Sequence, residues 1–211
     1  MAGISDLWTY YDRRADEYEA GTVEGLEEYA SEIRAEDQAV TRIISDLTFT
    51  SFLDIGAGTG IFTRHLSGRG IVLDQSPSML RRLRDNLGVV PAIRADARSL
   101  PLRDGALDCV FAGHLYGHLE AHDRKAFLRE AHRVGRQLVI LDSGRRPGQP
   151  AETWETRRLA NGDLFSIFKR FFTGTELANE VGGHALYEGS FFVLVLCDSG
   201  ASHLDRKIPV M

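Results

Sequence analysis

Cysteine is scarce: Cys109 and Cys197 are the only two in 211 residues, and each falls within an apolar, strand-like pattern. A disulfide framework and a cysteine-ligated metal are therefore not expected, and both residues read as buried thiols in a reducing cytoplasm. Long apolar runs are also missing. None approaches the roughly 20 residues that span a bilayer, and no secretory apolar region opens the chain, where residues 5–28 are rich in charge and tyrosine. A membrane is not an expected partner, and the expected location is the cytoplasm. Basic excess is absent too, with a formal net charge of −5. That balance argues against an extended phosphate-tracking surface, so nucleic acid is not an expected partner. No internal repeat is visible. What remains is a chain with 43% hydrophobic residues, enough to bury a full core as one large domain or a domain with a small addition.

The most informative stretch is Phe52-Leu-Asp-Ile-Gly-Ala-Gly-Thr-Gly60, an apolar strand that runs into three alternating glycines. Gly56, Gly58 and Gly60 permit backbone angles closed to other residues and let the main chain approach a ligand. The segment after them is expected to open a helix whose free amides face that ligand. The spacing G-x-G-x-G is not the dinucleotide fingerprint G-x-G-x-x-G, which suits a pyrophosphate. Asp54, two residues ahead of the first glycine, would repel a pyrophosphate and attract an ammonium group. A cofactor with an amino-acid end fits better.

This Asp-x-Gly-x-Gly-x-Gly pattern resembles the class I S-adenosylmethionine-dependent methyltransferases, and its neighbours extend the likeness. Gly70-Ile-Val-Leu-Asp74 is a second apolar strand ending in an acid, where the family binds the ribose hydroxyls. Gln75-Ser-Pro-Ser-Met-Leu80 follows as a helix start, with Ser76 a good N-cap and Pro77 a natural first helical residue. Ala92-Ile-Arg-Ala-Asp96-Ala97 is a third strand with an acid, at the position of the family's adenine contact. A lone aspartate after a strand is often only a turn or cap residue, but three in this order are specific. The resemblance implies S-adenosyl-L-methionine as cofactor and S-adenosyl-L-homocysteine as its product. It assigns cofactor contacts to Tyr11, Asp54, Gly56, Ala57, Gly58, Thr59, Gly60, Asp74, Gln75, Met79, Asp96, Ala97, Gly113 and His114.

Alternating strands and helices predict an α/β fold with a doubly wound, mostly parallel sheet; the resemblance makes it seven-stranded and Rossmann-like, with helices on both faces. Strands are placed near 51–55, 70–74, 91–94, 107–111 and 137–142, and helices near 60–68, 76–87 and 122–134. Two N-terminal helices, about 4–20 and 24–47, precede them. Within a single domain 1–211, residues 1–47 read as a helical lid and 48–143 as the cofactor-binding core. Residues 151–172 read as an added β-hairpin turning at Asn161-Gly162. Residues 173–200 follow as a helix, opened by the capping box Thr173-Gly-Thr-Glu176, and closing strands.

Substrate choice is expected in the additions to the core. Tyr11 and Tyr18, seven apart, are expected to share a helix face; their hydroxyls reach cofactor or substrate, or the rings only pack the lid. The hairpin pattern from Arg157 to Lys169 resembles that of small bacterial methyltransferases acting on a phosphonate oxygen. That resemblance makes Arg157 and Lys169 holders of an anionic acceptor group; otherwise they form a solvated face. After the fourth strand, Gly113-His114-Leu-Tyr-Gly-His118 lacks the Asn-Pro-Pro-aromatic signature of base amino-group methylation. His114 and His118 stand at helical spacing, His114 near the cofactor and His118 as a general base for a hydroxyl, unless it merely packs or caps. His118 and Tyr18 are the catalytic candidates. The expected function is methyl transfer to a small molecule, at a hydroxyl, carboxylate or phosphonate oxygen. A catalytically inactive cofactor-binding regulator and a nicotinamide-dependent oxidoreductase are the alternatives, and the oligomeric state stays open.

Overall fold

Nearly continuously buried central strands, with amphipathic helices between them, decide the architecture. The computed structural model describes residues 4–18 and 26–198. Its helices are α1 (Ile4–Arg14), α2 (Ala30–Asp46), α3 (Pro77–Leu87), α4 (Ala121–Val134) and α5 (Gly174–Val181). Its strands are β1 (Ser51–Ile55), β2 (Arg69–Asp74), β3 (Ala92–Arg94), β4 (Leu107–Gly113), β5 (Gly135–Ser143), β6 (Glu152–Arg158), β7 (Leu164–Arg170), β8 (His184–Glu188) and β9 (Phe192–Asp198). Seven of them form one sheet in the order β3-β2-β1-β4-β5-β9-β8, parallel from β3 to β5, with β9 inserted antiparallel between β5 and β8. This is the expected Rossmann-like, doubly wound sheet. Strands β6 and β7 pair separately as the antiparallel hairpin.

Side chains two apart on a strand share a face, and the core divides accordingly. Leu53, Ile55, Val110 and Ile140 pack with Phe127 of α4 and Leu177 of α5, while Phe52, Phe111, Val139 and Leu141 pack with Val40 and Ile44 of α2. The two cysteines form no disulfide with each other and are buried on opposite faces of the sheet. Among the described residues no helix is long and apolar enough to cross a membrane.

Local chemistry ends the helices where it should. The Ser76 hydroxyl accepts from the Met79 amide at 3.0 Å with Pro77 in the first turn, and Thr173 and Glu176 form the reciprocal capping box of α5. Gly162 turns the hairpin with φ +94°. Three helix assignments need correction. No helix spans 60–68: between Gly60 and Gly68, both at positive φ, the chain makes a 3-10 turn, Thr63–His65. The first helix stops at Arg14, before a turn at 15–18, with the rest of the expected 4–20 and the start of 24–47 lying outside the described residues. The second begins with a 3-10 turn, Glu27–Tyr29, and becomes α2 only at Ala30.

Candidate active site

The carboxyl ends of β1, β2 and β4 and the segment after β3 surround a cavity of about 780 Å³ including its open mouth. The glycine loop forms one wall, but not by presenting a helix terminus. Its amides are held internally: Gly56 and Ala57 donate to the Leu73 carbonyl and Gly58 donates to Asp74 at 2.9 Å. Glycine is required at 58 by its φ of +54° rather than by crowding, since an added Cβ would meet no counted protein atom inside 3.9 Å. Gly56, Gly58, Asp74, Gln75, Met79, Asp96 and Ala97 line the cavity. Asp54, Ala57, Thr59 and Gly60 stand outside its lining. Asp54 lies under the loop, where it accepts from the Thr63 hydroxyl at 2.5 Å; burial, partly opposed by that bond, pushes its carboxyl up to about 7. The buried Thr59 hydroxyl has no protein partner.

The acids differ in their commitments. Asp74 accepts from the Gly58 and Ser76 amides and is buried enough that its pKa is raised. Asp96 is instead gripped by Arg98, with contacts of 2.6–3.1 Å to both oxygens, and is held below the usual carboxylate range by those bonds against a desolvation that acts the other way. Arg98 also binds Asp123 at 2.8 Å and lies 5.9 Å from the Trp8 ring. Trp8 and Arg98 line the cavity and were not singled out in the sequence. The Asp96-x-Arg98 spacing was the available signal, whereas nothing local marked Trp8 as a wall.

Helix α1 covers the cavity from the other side. Asp12 accepts from the Ser76 hydroxyl and the Ser78 amide, Asp16 pairs with Arg82, and Arg13 pairs with Asp163 of the hairpin turn. Leu7 and Tyr10 pack on Leu159 and Ile167. Tyr11 and Tyr18 both line the cavity, with ring centroids 6.0 Å apart, although Tyr18 lies beyond the helix end and so is not on one helical face with Tyr11. Burial raises both phenol pKa values.

After β4 the two histidines are not a helical pair. His114 has φ +55°, and His118 ends a 3-10 turn, Tyr116–His118. The Gly113-His114 reversal is fixed because an added Cβ at Gly113 would meet Phe62 at 2.8 Å, while the His114 amide donates to Leu141. Burial lowers the His114 pKa to about 4, and its ring lies between Phe62 and Phe192. His118 has a defined tautomer. Its Nδ1 is 2.8 Å from the Phe168 carbonyl, which only accepts, so Nδ1 carries the proton and Nε2 accepts from the Tyr11 hydroxyl at 2.9 Å. Burial, then the charges of Lys169 and Arg157, hold its pKa well below the ordinary value.

Those two cations are near the site but engaged elsewhere. Lys169 is buried and bridges to Asp142 at 3.0 Å; Asp142 also accepts from the Gly117 amide. Arg157 pairs with Glu155 at 2.6 Å. Neither residue is in the cavity lining.

The family model described as "Methyltransferase domain" matches residues 53–140, the span that carries the loop, all three acids and β4. The DhpI-SAH complex superposes with a TM-score of 0.74 at 25% identity, covering 94% of this chain and 98% of that one, and the DhpI-SAM-HEP complex gives 0.73 at 25% identity over 92% and 96%. Over residues 53–140 the chain is thus similar to S-adenosylmethionine-dependent methyltransferases. Curated relatives of the chain include a malonyl-[acyl-carrier protein] O-methyltransferase of Geobacter sulfurreducens, 36% identical over 52% of this chain and 45% of its own length. A ubiquinone/menaquinone biosynthesis C-methyltransferase, UbiE, of Pasteurella multocida is 36% identical over 43% of this chain and 38% of its own. The chain thus spans less than half the length of these curated relatives. The methyltransferase cofactor is S-adenosyl-L-methionine, and the cavity suits it: an apolar slot of Leu73, Met79 and Ala97, a carboxylate on either side, and an open glycine loop.

Proposed function

We propose that the chain transfers a methyl group to an oxygen of a small cytoplasmic acceptor, with His118 as general base where the acceptor is a hydroxyl. The observation that carries this reading is the unprotonated Nε2 of His118, directed at the cavity-lining Tyr11 hydroxyl. S-adenosyl-L-methionine supplies, when bound, a methyl group on a sulfonium, which an acceptor oxygen displaces to leave the neutral thioether. The chain's own task is chiefly placement, which accounts for much of such a rate. Asp74 and Asp96 are proposed to hold the ribose and adenine, with Asp54 and the glycine loop toward the amino-acid end. Tyr11 and Tyr18 close the cavity from the lid. An acceptor hydroxyl replaces the Tyr11 hydroxyl as donor to Nε2, and His118 takes that proton as the oxygen–carbon bond forms and the carbon–sulfur bond breaks.

An anionic acceptor fits the same site through Arg157 and Lys169, whose charges reach His118. A negative group there offsets them and restores basicity to the imidazole, so that binding prepares the base. An already ionised carboxylate or phosphonate oxygen needs no base.

Calorimetry with S-adenosylhomocysteine against NAD tests the cofactor assignment, and tight NAD binding without thioether binding would overturn it. Methyl release over a panel of acceptors tests catalysis against an inactive regulator. For a hydroxyl acceptor that lacks an anionic group, the acidic limb of kcat/KM is expected well below pH 6.5, because His118 is neutral until then. Full turnover after His118→Ala would discard the base; an unchanged KM for an anionic acceptor after Arg157→Ala would discard the anion site.

A further inference from the structure

His118 separates two hollows. The second, about 300 Å³ including its open side, lies on the hairpin flank and shares Leu7 and His118 with the cofactor cavity. Aromatic and apolar groups dominate it: Trp154 and Phe168 meet edge to face at 5.5 Å between ring centroids. Ser166 and Glu120 are its remaining polar members. Trp154 is 49% exposed there, although the opposite face of the same hairpin is packed on α1 through Phe165 and Ile167. Half of a large indole left in water, beside the wall of a reaction cavity, retains most of its capacity to bury a ligand.

Resting on the methyltransferase reading above, the geometry points to this second hollow as the subsite for the body of the acceptor, with a planar, apolar portion on Trp154. In-line displacement needs the acceptor oxygen opposite the sulfur, on the far side of the methyl group from the cofactor. The cofactor cavity ends at His118 and Leu7, and the second hollow begins at the same two residues. An acceptor lying on Trp154 therefore places its hydroxyl at the imidazole while its remainder stays outside the cofactor cavity. The chemistry of the walls sets its class. Two aromatic rings favour a flat ring, and the Glu120 carboxylate disfavours negative charge on that end.

The chain has two tryptophans, one in each hollow, and this makes the subsites separately readable. Trp154→Phe leaves Trp8 as the only indole, and its emission is expected to change on titration with S-adenosylhomocysteine. Trp8→Phe leaves Trp154. With S-adenosylhomocysteine saturating, its emission is expected to change saturably with 4-hydroxyphenylacetate, a planar hydroxy acid, and not with glycolate, an aliphatic one. By calorimetry Trp154→Ala is expected to weaken the aromatic probe about tenfold while leaving the thioether affinity unchanged. If Trp8 responds to the thioether and Trp154 stays silent to the aromatic probe up to about 10 mM, the subsite is wrong and the cofactor assignment stands. Equal affinity of the aromatic probe for Trp154→Ala and the parent overturns it as well. If neither Trp8 emission nor calorimetry detects the thioether, the methyltransferase reading falls and the subsite falls with it.

Discussion

The floor of the cavity and its roof are held in different ways. The floor is made at the ends of β1 and β2 by neighbours in sequence: Gly58 donates to Asp74 and Ser76 donates to Asp74, across 16 and two residues. The roof joins elements that are far apart in the chain. Tyr11 and His118 are 107 residues apart, Arg13 and Asp163 150, and Ser76 and Asp12 64. A floor built from local backbone geometry suits a cofactor whose shape never varies. A roof assembled by long-range side-chain pairs is easily altered, as acceptor choice requires, and its stability rests on a few buried polar groups.

The largest test of that difference is the Lys169–Asp142 bridge, which ties β7 of the roof to β5 of the sheet. Lys169→Met leaves Asp142 buried without its cation and is expected to lower stability by about 3–5 kcal/mol, read from a denaturant midpoint. Lys169→Met with Asp142→Asn removes both charges and is expected to recover a large part of that loss; no recovery would mean that the bridge is not what docks the hairpin. Desolvation pushes the Asp142 pKa up, but Lys169, the two histidines and the Gly117 amide together outweigh it and hold the pKa below its ordinary value, so its contribution is present above the unfolded pKa and lost as pH falls through the folded one. On the floor, Asp74→Ala deletes the acceptor for two amides. It is expected to weaken S-adenosylhomocysteine by about 10- to 100-fold in calorimetry, with little change in the hairpin's protection from hydrogen exchange.

Asp54 gives a smaller effect with the opposite pH sign. Its folded pKa of about 7 exceeds the unfolded value of 3.8, so its contribution is complete below the unfolded pKa and is lost as pH rises through 7. Asp54→Asn, which still accepts from Thr63, is therefore expected to gain on the parent between about pH 4 and 7, reaching on the order of a few kcal/mol at most. Parallel stability curves for the two proteins would show that Asp54 does not titrate in this window. A cofactor ammonium at Asp54 would lower its pKa, so in the parent the thioether affinity should rise over the same window.

The sequence disclosed the floor better than the roof for the same reason of locality. Three short strands each followed by an acid, Ser76-Pro77 and Thr173 with Glu176 are local signals, and their elements appear where expected. The helix expected after Gly60 is replaced by a 3-10 turn ahead of Gly68, where the Phe49 carbonyl would lie 2.3 Å from an added Cβ. His114 and His118 share a helical spacing but not a helix, since His114 has φ +55° and its amide donates to the Leu141 carbonyl of β5. Lys169 and Arg157 looked like free cations because their partners do not all follow from spacing: Glu155 is two residues from Arg157, but Asp142 is 27 from Lys169. Trp8 is a cavity wall because α1 packs across β7 and α3.

The latch between α1 and α3 separates the two kinds of support most finely. Asp12 is a remote second acceptor at the start of α3, taking the Ser76 hydroxyl at 2.7 Å and the Ser78 amide at 3.0 Å, and these bonds keep its pKa low despite partial desolvation. Asp16–Arg82, one turn further along, is mostly in water, with side chains 85% and 43% exposed. Asp12→Ala is expected to cost about 1 kcal/mol of stability, and Asp16→Ala less than about 0.5 kcal/mol. Both act on the roof alone, so the floor should bind S-adenosylhomocysteine with an affinity that changes only as far as lid closure contributes. A larger loss of thioether affinity in Asp12→Ala than in Asp16→Ala, scaling with the two stability losses, would place α1 in the closed state during cofactor binding. Equal thioether affinity in all three proteins would instead leave the roof with acceptor recognition as its only role.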